Sequence, residues 1–246
     1  MNGLRTDNNQ KYLLTGATWF LGSHIMAELL NRHHRLVIFG RPSGSISLKE
    51  RITKLLNWFA IEHLEEMLEF YETDFMTDRL GLGHKEYDHL CRRGLAIIHC
   101  ASDTSFAEKN RGKVMRSNVE SLAEILTFAS RSKATWFHYI STVFAAGIDS
   151  AECNEEPVNS ANFTNVYEQS KANAEKIITD SCTEHKVPFT LIRPSIVYGD
   201  SVTGRSLKFN ALYVPVRSAQ AIRDIYLEDI RKNDGKKSVR VHGALG

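Results

Sequence analysis

Two side chains four residues apart, Tyr167 and Lys171, have the types needed for proton transfer. They lie in Val166-Tyr167-Glu168-Gln169-Ser170-Lys171, and on a helix that spacing puts both on one face. A free phenol, with a pKa of about 10, is a poor acid–base group at neutral pH. A neighbouring ammonium favours the phenolate and draws that pKa down. Upstream, Ile140-Ser141-Thr142 closes an apolar run, so a hydroxyl from Ser141 or Thr142 can hydrogen-bond an oxyanion that forms beside the phenol. Alone, a Tyr-x-x-x-Lys pair is more often structural than catalytic. Thr15-Gly16-Ala17-Thr18-Trp19-Phe20-Leu21-Gly22 makes it more specific, because this glycine turn joins a short apolar run to a helical pattern. Such a turn lets backbone N–H groups approach a pyrophosphate, and the helix N-terminus favours its charge. Gly16 permits the tight turn and Gly22 close helix–strand packing.

The elements that position these residues are legible as alternating apolar runs. Tyr12 to Leu14, Leu36 to Phe39, Leu95 to Ile98, Trp136 to Ile140 and Phe189 to Ile192 read as strands. Helical spacing separates them, in Leu21-Ile25-Met26-Leu29-Leu30, Val119 to Phe128 and Ser170 to Ile178. Strands fed by intervening helices predict an α/β fold, a doubly wound, Rossmann-like parallel sheet covered on both faces. Between Arg41 and Asp74 lies a longer insertion in which Leu48, Ile52, Leu55, Leu56 and Phe59 mark an amphipathic helix. The second strand ends in Phe39-Gly40-Arg41. An acidic residue there would take the ribose 2′-hydroxyl of NAD, whereas Arg41 suits the 2′-phosphate of NADP, so NADPH is the expected cofactor.

Composition narrows the class. The 246 residues carry a formal net charge of +2, too small to steer the chain toward nucleic acid or an anionic membrane. The first ten residues are polar, and no run approaches the ~18 apolar residues of a membrane span, so a cytoplasmic protein is expected. Cys91, Cys100, Cys153 and Cys182 form no CxxC pair, and with the ten scattered histidines they give no metal-ligand spacing. Reduced, mostly buried thiols and a satisfied core histidine at His99 are expected.

The glycine turn resembles the TGATGFLG fingerprint of extended short-chain dehydrogenases/reductases. Trp19 stands where that pattern has its middle glycine, which leaves room for the pyrophosphate; a bulky residue there either crowds the phosphates or points outward. The resemblance makes Gly16, Thr18, Trp19, Phe20, Leu21 and Gly22 cofactor contacts. It likens Asp74-Phe75 to the pair beside the adenine, and His99-Cys100-Ala101-Ser102 to the H-N-A-A stretch near the phosphates and ribose, with Cys100 replacing the asparagine. Asn118 corresponds to the asparagine of an N-V segment that holds the backbone open for a water or proton relay. Thr142, Tyr167 and Lys171 resemble the family triad of hydroxyl, general acid/base, and the lysine that lowers the tyrosine pKa and holds the nicotinamide ribose. Ser141 is the alternative hydroxyl.

Arg193-Pro194-Ser195-Ile196-Val197-Tyr198-Gly199-Asp200-Ser201-Val202-Thr203-Gly204 is similar to a segment of thioester reductases, a group that includes fatty acyl-CoA reductases and the terminal reductase domains of polyketide and peptide synthetases. Lys49-Glu50-Arg51-Ile52, a following strand and Asp74, and Arg79-Leu80-Gly81-Leu82 add to that resemblance, which covers about residues 11 to 246. It implies NADPH-dependent reduction of an acyl thioester, on coenzyme A or a carrier protein, to an aldehyde or alcohol. Pro194 and Ser195 would then sit near the nicotinamide. A nucleotide-sugar epimerase or dehydratase of the same superfamily is the alternative, disfavoured by the Arg193 to Gly204 segment. A non-catalytic dinucleotide-binding protein is another, disfavoured by the intact Thr142, Tyr167 and Lys171. Residues 1–200 read as the dinucleotide-binding domain. Residues 201–246 read as a small, incomplete substrate lobe, with a strand beginning at Ser238 to His242. Helix pairing between protomers is frequent in the superfamily and would give a homodimer.

Overall fold

Leu13 and Leu14 are neighbours, both fully buried, yet they belong to different halves of the core. Successive strand residues point to opposite faces, so both can be apolar only where the sheet is covered on both sides. The computed structural model describes residues 10–62, 65–149, 154–157, 161–207 and 213–232. It places six parallel strands in the order β3-β2-β1-β4-β5-β6. These are β1 (Tyr12–Thr15), β2 (Leu36–Gly40), β3 (Leu68–Glu72), β4 (Ala96–His99), β5 (Trp136–Ile140) and β6 (Phe189–Ile192). One face packs Leu14, Ile38 and Ile98 against α1 (Phe20–Asn31) and α2 (Leu48–Trp58). The other packs Leu13, Phe39, Ile97 and Phe137 against α3 (His84–Cys91), α5 (Leu122–Arg131) and α6 (Val166–Glu184). The short α4 (Arg111–Met115) runs into a π-turn, Arg116–Glu120, ahead of α5. The expected doubly wound sheet is therefore the one this chain forms.

Local chemistry sets the helix starts. Ser47 caps α2 by accepting the Glu50 N–H at 3.2 Å, and the Glu50 carboxylate returns the bond to the Ser47 N–H at 2.8 Å. That box fixes the phase that buries Leu48, Ile52 and Leu56. Asn165 caps α6 by accepting the Glu168 N–H at 3.1 Å, which places Tyr167 in the first turn.

The described residues fall into two compact units, Met1–Ser195 and Ile196–Gly246. Within the second unit the Asp200–Arg205 stretch closes on itself. The Asp200 N–H donates to Arg205 O at 2.8 Å, and its carboxylate accepts the Val202 and Thr203 N–H groups at 3.1 and 2.6 Å. The second unit continues in α7 (Tyr213–Lys232). The strand expected at Ser238 to His242 lies outside the described residues, as does Cys153. Among the described residues no helix is long and apolar enough to cross a membrane, and no group of acidic, histidine and cysteine side chains could hold a metal.

Candidate active site

In an open doubly wound sheet the crevice lies at the carboxyl ends of the strands, where the strand order reverses. Here that point falls between β1 and β4; Thr15, the last residue of β1, pairs with Phe39 of β2 on one side and with His99 of β4 on the other. A cavity of about 500 Å³ opens there. Of the residues expected to bind a cofactor, Gly16, Thr18, Trp19 and Arg41 line it, and so do Asp74, Phe75, Ala101 and Ser102. Phe20, Leu21 and Gly22 lie behind it in the first turn of α1. Cys100, Asn118, Pro194 and Ser195 do not line it.

The cavity is basic. Lys113 is paired with Asp103 at 2.9 Å and Arg116 with Glu120 at 3.9 Å, and the Asp74 carboxylate accepts from the Met76 N–H and the Thr77 hydroxyl. Arg41 and Arg51 supply the remaining cationic lining. Arg51 was not among the expected site residues. Its guanidinium donates to Thr18 Oγ1 and to the Arg41 carbonyl, both at 2.8 Å, and so ties the glycine turn to the end of β2.

Thr15 and His99 hold the floor. The Thr15 hydroxyl accepts the Ala101 N–H at 3.2 Å and meets His99 Nδ1 at 3.0 Å. His99 is buried beside the rings of Phe75, Phe137 and Tyr139, and burial pushes its pKa down to about 3. It is the satisfied core histidine expected from its apolar run. Cys100 is half-buried, and burial raises its thiol to about 12.

Asn118, in the π-turn, spends its amide on protein. It accepts from the Ser102 hydroxyl and the Asp103 N–H at 3.1 and 2.7 Å, and donates to Asp103 O and Ser170 Oγ, both at 2.9 Å. Its side chain therefore ties the post-β4 loop to α6. The residue lies within the π-turn Arg116–Glu120.

Beyond β5 the catalytic candidates converge. Thr142 Oγ1 accepts the Phe144 N–H at 3.4 Å, and its hydroxyl lies near enough to the Tyr167 phenol to pull the phenol's pKa down. Ser141 instead donates to Glu175 Oε1 at 2.5 Å. Thr142, not Ser141, is thus the hydroxyl beside Tyr167. Lys171 is buried, donating to Ile140 O at 2.8 Å and to the Tyr139 hydroxyl at 3.1 Å. Lys171, the residue expected to lower the Tyr167 pKa, sits one turn from it on α6. Burial raises Tyr167 to about 12, with the nearby Thr142 hydroxyl pulling the other way, and burial lowers Lys171 to about 7. The lysine nitrogen lies 6.0 Å from the Tyr167 ring centre and 4.6 Å from that of Tyr139, so its nearest phenol is the one sequence reasoning overlooked. Pro194 reaches this cluster through its backbone, its carbonyl accepting the Val143 N–H at 3.0 Å.

An NAD-binding family described as male sterility protein matches residues 14–237. The chain belongs to that family. It is 29% identical over 225 residues to a linear gramicidin synthase of Brevibacillus parabrevis, covering 88% of this chain and 4% of that protein. Among solved structures, the terminal R (reductase) domain of the myxalamid PKS-NRPS pathway matches with a TM-score of 0.78 and 27% identity, over 88% of this chain and 57% of that one. A UDP-glucose 4-epimerase shares the fold at a TM-score of 0.60 and 19% identity, over 78% of this chain and 53% of that one. The chain thus spans only part of the relatives it matches.

The buried lysine gives this family member a measurable signature. Burial pushes the Lys171 ammonium down to about 7 from its usual 10.5. Between those values the unfolded chain holds a proton that the folded chain lacks, so the stability contribution of Lys171 is complete above 10.5 and is lost as pH falls through about 7. From about pH 7 to roughly 8.5, wild-type unfolding free energy should gain on that of Lys171→Met with a slope approaching about 1.4 kcal/mol per pH unit. The buried thiols and phenols, whose pKa values are raised, act only at higher pH. Urea denaturation at several pH values measures the difference; a constant difference means that the lysine keeps its charge in the fold.

Proposed function

We propose that this chain is an NADPH-dependent reductase of acyl thioesters, carried on coenzyme A or a carrier protein, that yields an aldehyde or an alcohol. The observation that carries this reading is the gathering of Thr142, Tyr167 and Lys171 about the end of β5, where Lys171 donates to Ile140 O at 2.8 Å and its nitrogen lies 6.0 Å from the Tyr167 ring centre. Family membership supports the nicotinamide cofactor. Similarity to a linear gramicidin synthase and to a PKS-NRPS terminal R domain supports a thioester over a nucleotide sugar. The second unit, from Ile196, is read as belonging to a substrate lobe.

The residues present suit the cofactor at its adenosine end. Arg41 and Arg51 line the cavity beyond β2, where a 2′-phosphate would be recognised. Phe75 and Asp74 line the cavity where they would flank an adenine, and the first turn of α1, with no side-chain cap at Trp19, would face a diphosphate. NADPH, when bound, would supply the hydride that reduces the thioester carbonyl to a hemithioacetal, which expels its thiol to leave the aldehyde; a second NADPH would be needed for the alcohol. Tyr167, protonated at neutral pH, donates a proton to the carbonyl oxygen as negative charge develops there. The nearby Thr142 hydroxyl, which pulls the phenol's pKa down, stabilises the phenolate left behind. Lys171, when charged, adds an electrostatic contribution to the same end.

Nucleotide selectivity tests the adenosine end. Arg51→Ala should weaken NADPH binding about 10- to 100-fold, the worth of a charge-assisted hydrogen bond to phosphate, and leave NADH binding nearly unchanged. Calorimetric titration with both nucleotides reads this directly. Equal losses for both would assign Arg51 to shaping the turn through Thr18. NADPH consumption with an acyl-CoA, and none with a nucleotide sugar, tests the reaction class.

A further inference from the structure

The turn after β1 keeps the glycines that packing requires and lacks the one that a ligand would require. A Cβ on Gly16 would come within 2.6 Å of Ala101 N and 2.7 Å of Cys100 C, and Gly16 has a φ of +71°. A Cβ on Gly22 would come within 2.3 Å of Gly16 O. Each of these clashes is with the chain's own backbone, so the fold alone demands both glycines.

Position 19 differs. Its backbone, at φ −100° and ψ 167°, is extended and open to any residue, and its N–H donates to Gly16 O at 3.0 Å. Conformation therefore asks for no glycine there. In dinucleotide folds the glycine facing the ligand lets the backbone approach the pyrophosphate. Here the largest side chain takes its place. Trp19 lines the cavity beside Gly16, Thr18 and Arg41 and is itself the N-cap of α1, so it stands beside the first-turn N–H groups that a diphosphate would meet. At 44% exposure the residue is not tucked into the core.

We infer that Trp19 limits dinucleotide affinity in this cleft: its indole occupies the passage of the diphosphate bridge, and binding requires the ring to move aside. This rests on the reading of the cleft as the NADPH site. Reordering a large side chain costs binding free energy that a small residue does not incur. Trp19→Gly should therefore bind NADPH about tenfold tighter or more than the natural chain. Trp19→Ala should show most of the same gain without the backbone freedom that glycine adds.

Calorimetry on the full chain and both variants tests this, with thermal melts confirming that all three fold. NADPH is titrated alongside adenosine 2′,5′-bisphosphate, which has the adenosine and 2′-phosphate but no diphosphate bridge. A gain for NADPH in both variants, with the bisphosphate unchanged, is the expected result. NADPH affinity that is unchanged or weaker in both variants overturns the inference and leaves the site reading standing. An equal gain for the bisphosphate also overturns it, by moving the effect of the indole to the adenosine end. Failure of all three proteins to bind either ligand removes the site reading and the inference together.

Discussion

Tyr167→Phe should reduce thioester reduction by about 10²- to 10⁴-fold, the usual worth of a positioned general acid, while nucleotide affinity stays within about twofold. The substitution removes one oxygen and keeps the ring. That ring packs 5.5 Å from Phe106, a contact phenylalanine preserves, so the start of α6 should hold its place. With its pKa raised to about 12, Tyr167 is almost wholly protonated at neutral pH, which suits a donor in the reductive direction better than a base in the oxidative one. Thr142 cannot substitute efficiently: a hydroxyl of ordinary acidity leaves a much less stable anion than a phenol does. The measurement is NADPH consumption with an acyl-pantetheine thioester under single-turnover conditions, set against nucleotide binding by calorimetry. Turnover within tenfold of wild type would mean that solvent delivers the proton and that the phenol serves only to orient the substrate.

The parts of this site legible in the sequence are those written in local pattern. β1, β2 and β4 are buried on both faces, so they read as unbroken apolar runs, and the glycine turn and the Tyr167–Lys171 spacing each lie within one short window. The edge strand β3 breaks its apolar run with Glu69 and Glu72 in Leu68-Glu69-Phe70-Tyr71-Glu72 and gives a weaker signal. α3 is only eight residues long, too short for its periodicity to stand out. The partners that decide the chemistry are long-range. Arg51 meets Thr18 across 33 residues, and Lys171 meets Tyr139 across 32. No spacing rule links such pairs; the parallel register of the sheet and the packing of α2 and α6 do. The pKa values are equally hidden, since burial dominates the shifts of both Tyr167 and Lys171 and burial is a property of the assembled fold. Glu175, two turns beyond Tyr167 on α6, is within reach of the same helical-face argument that finds Lys171. It escapes notice in the sequence because its partner Arg193 lies beyond β6.

Removing that carboxylate is the stability experiment with the largest expected effect. Arg193 meets Glu175 through Nε at 3.0 and 3.2 Å and through Nη2 at 2.7 Å, and the two side chains are only 14% and 4% exposed. The exposed Arg32–Glu28 pair is just as short, at 2.6 Å, but sits at 63% and 59% exposure and should contribute about 0–1 kcal/mol. Burial, not distance, sets the difference. Glu175→Ala leaves a guanidinium without its counter-charge and Ser141 without an acceptor, at a cost of about 3–5 kcal/mol, which lowers the melting midpoint by about 10 °C. Activity should fall as well. Ser141 carries Thr142 as its neighbour, and Arg193 precedes Pro194, whose carbonyl holds the Val143 N–H, so Glu175 braces both sides of the catalytic hydroxyl. The double variant Glu175→Leu with Arg193→Met separates charge from shape. Apolar replacement of a whole buried pair is often neutral, so the double variant should recover most of the stability that Glu175→Ala loses. If Glu175→Ala alone melts like wild type, the bonds of Arg193 to Asn154 O and Glu156 O at 3.0 and 2.9 Å are enough to satisfy the cation, and the pair serves geometry alone.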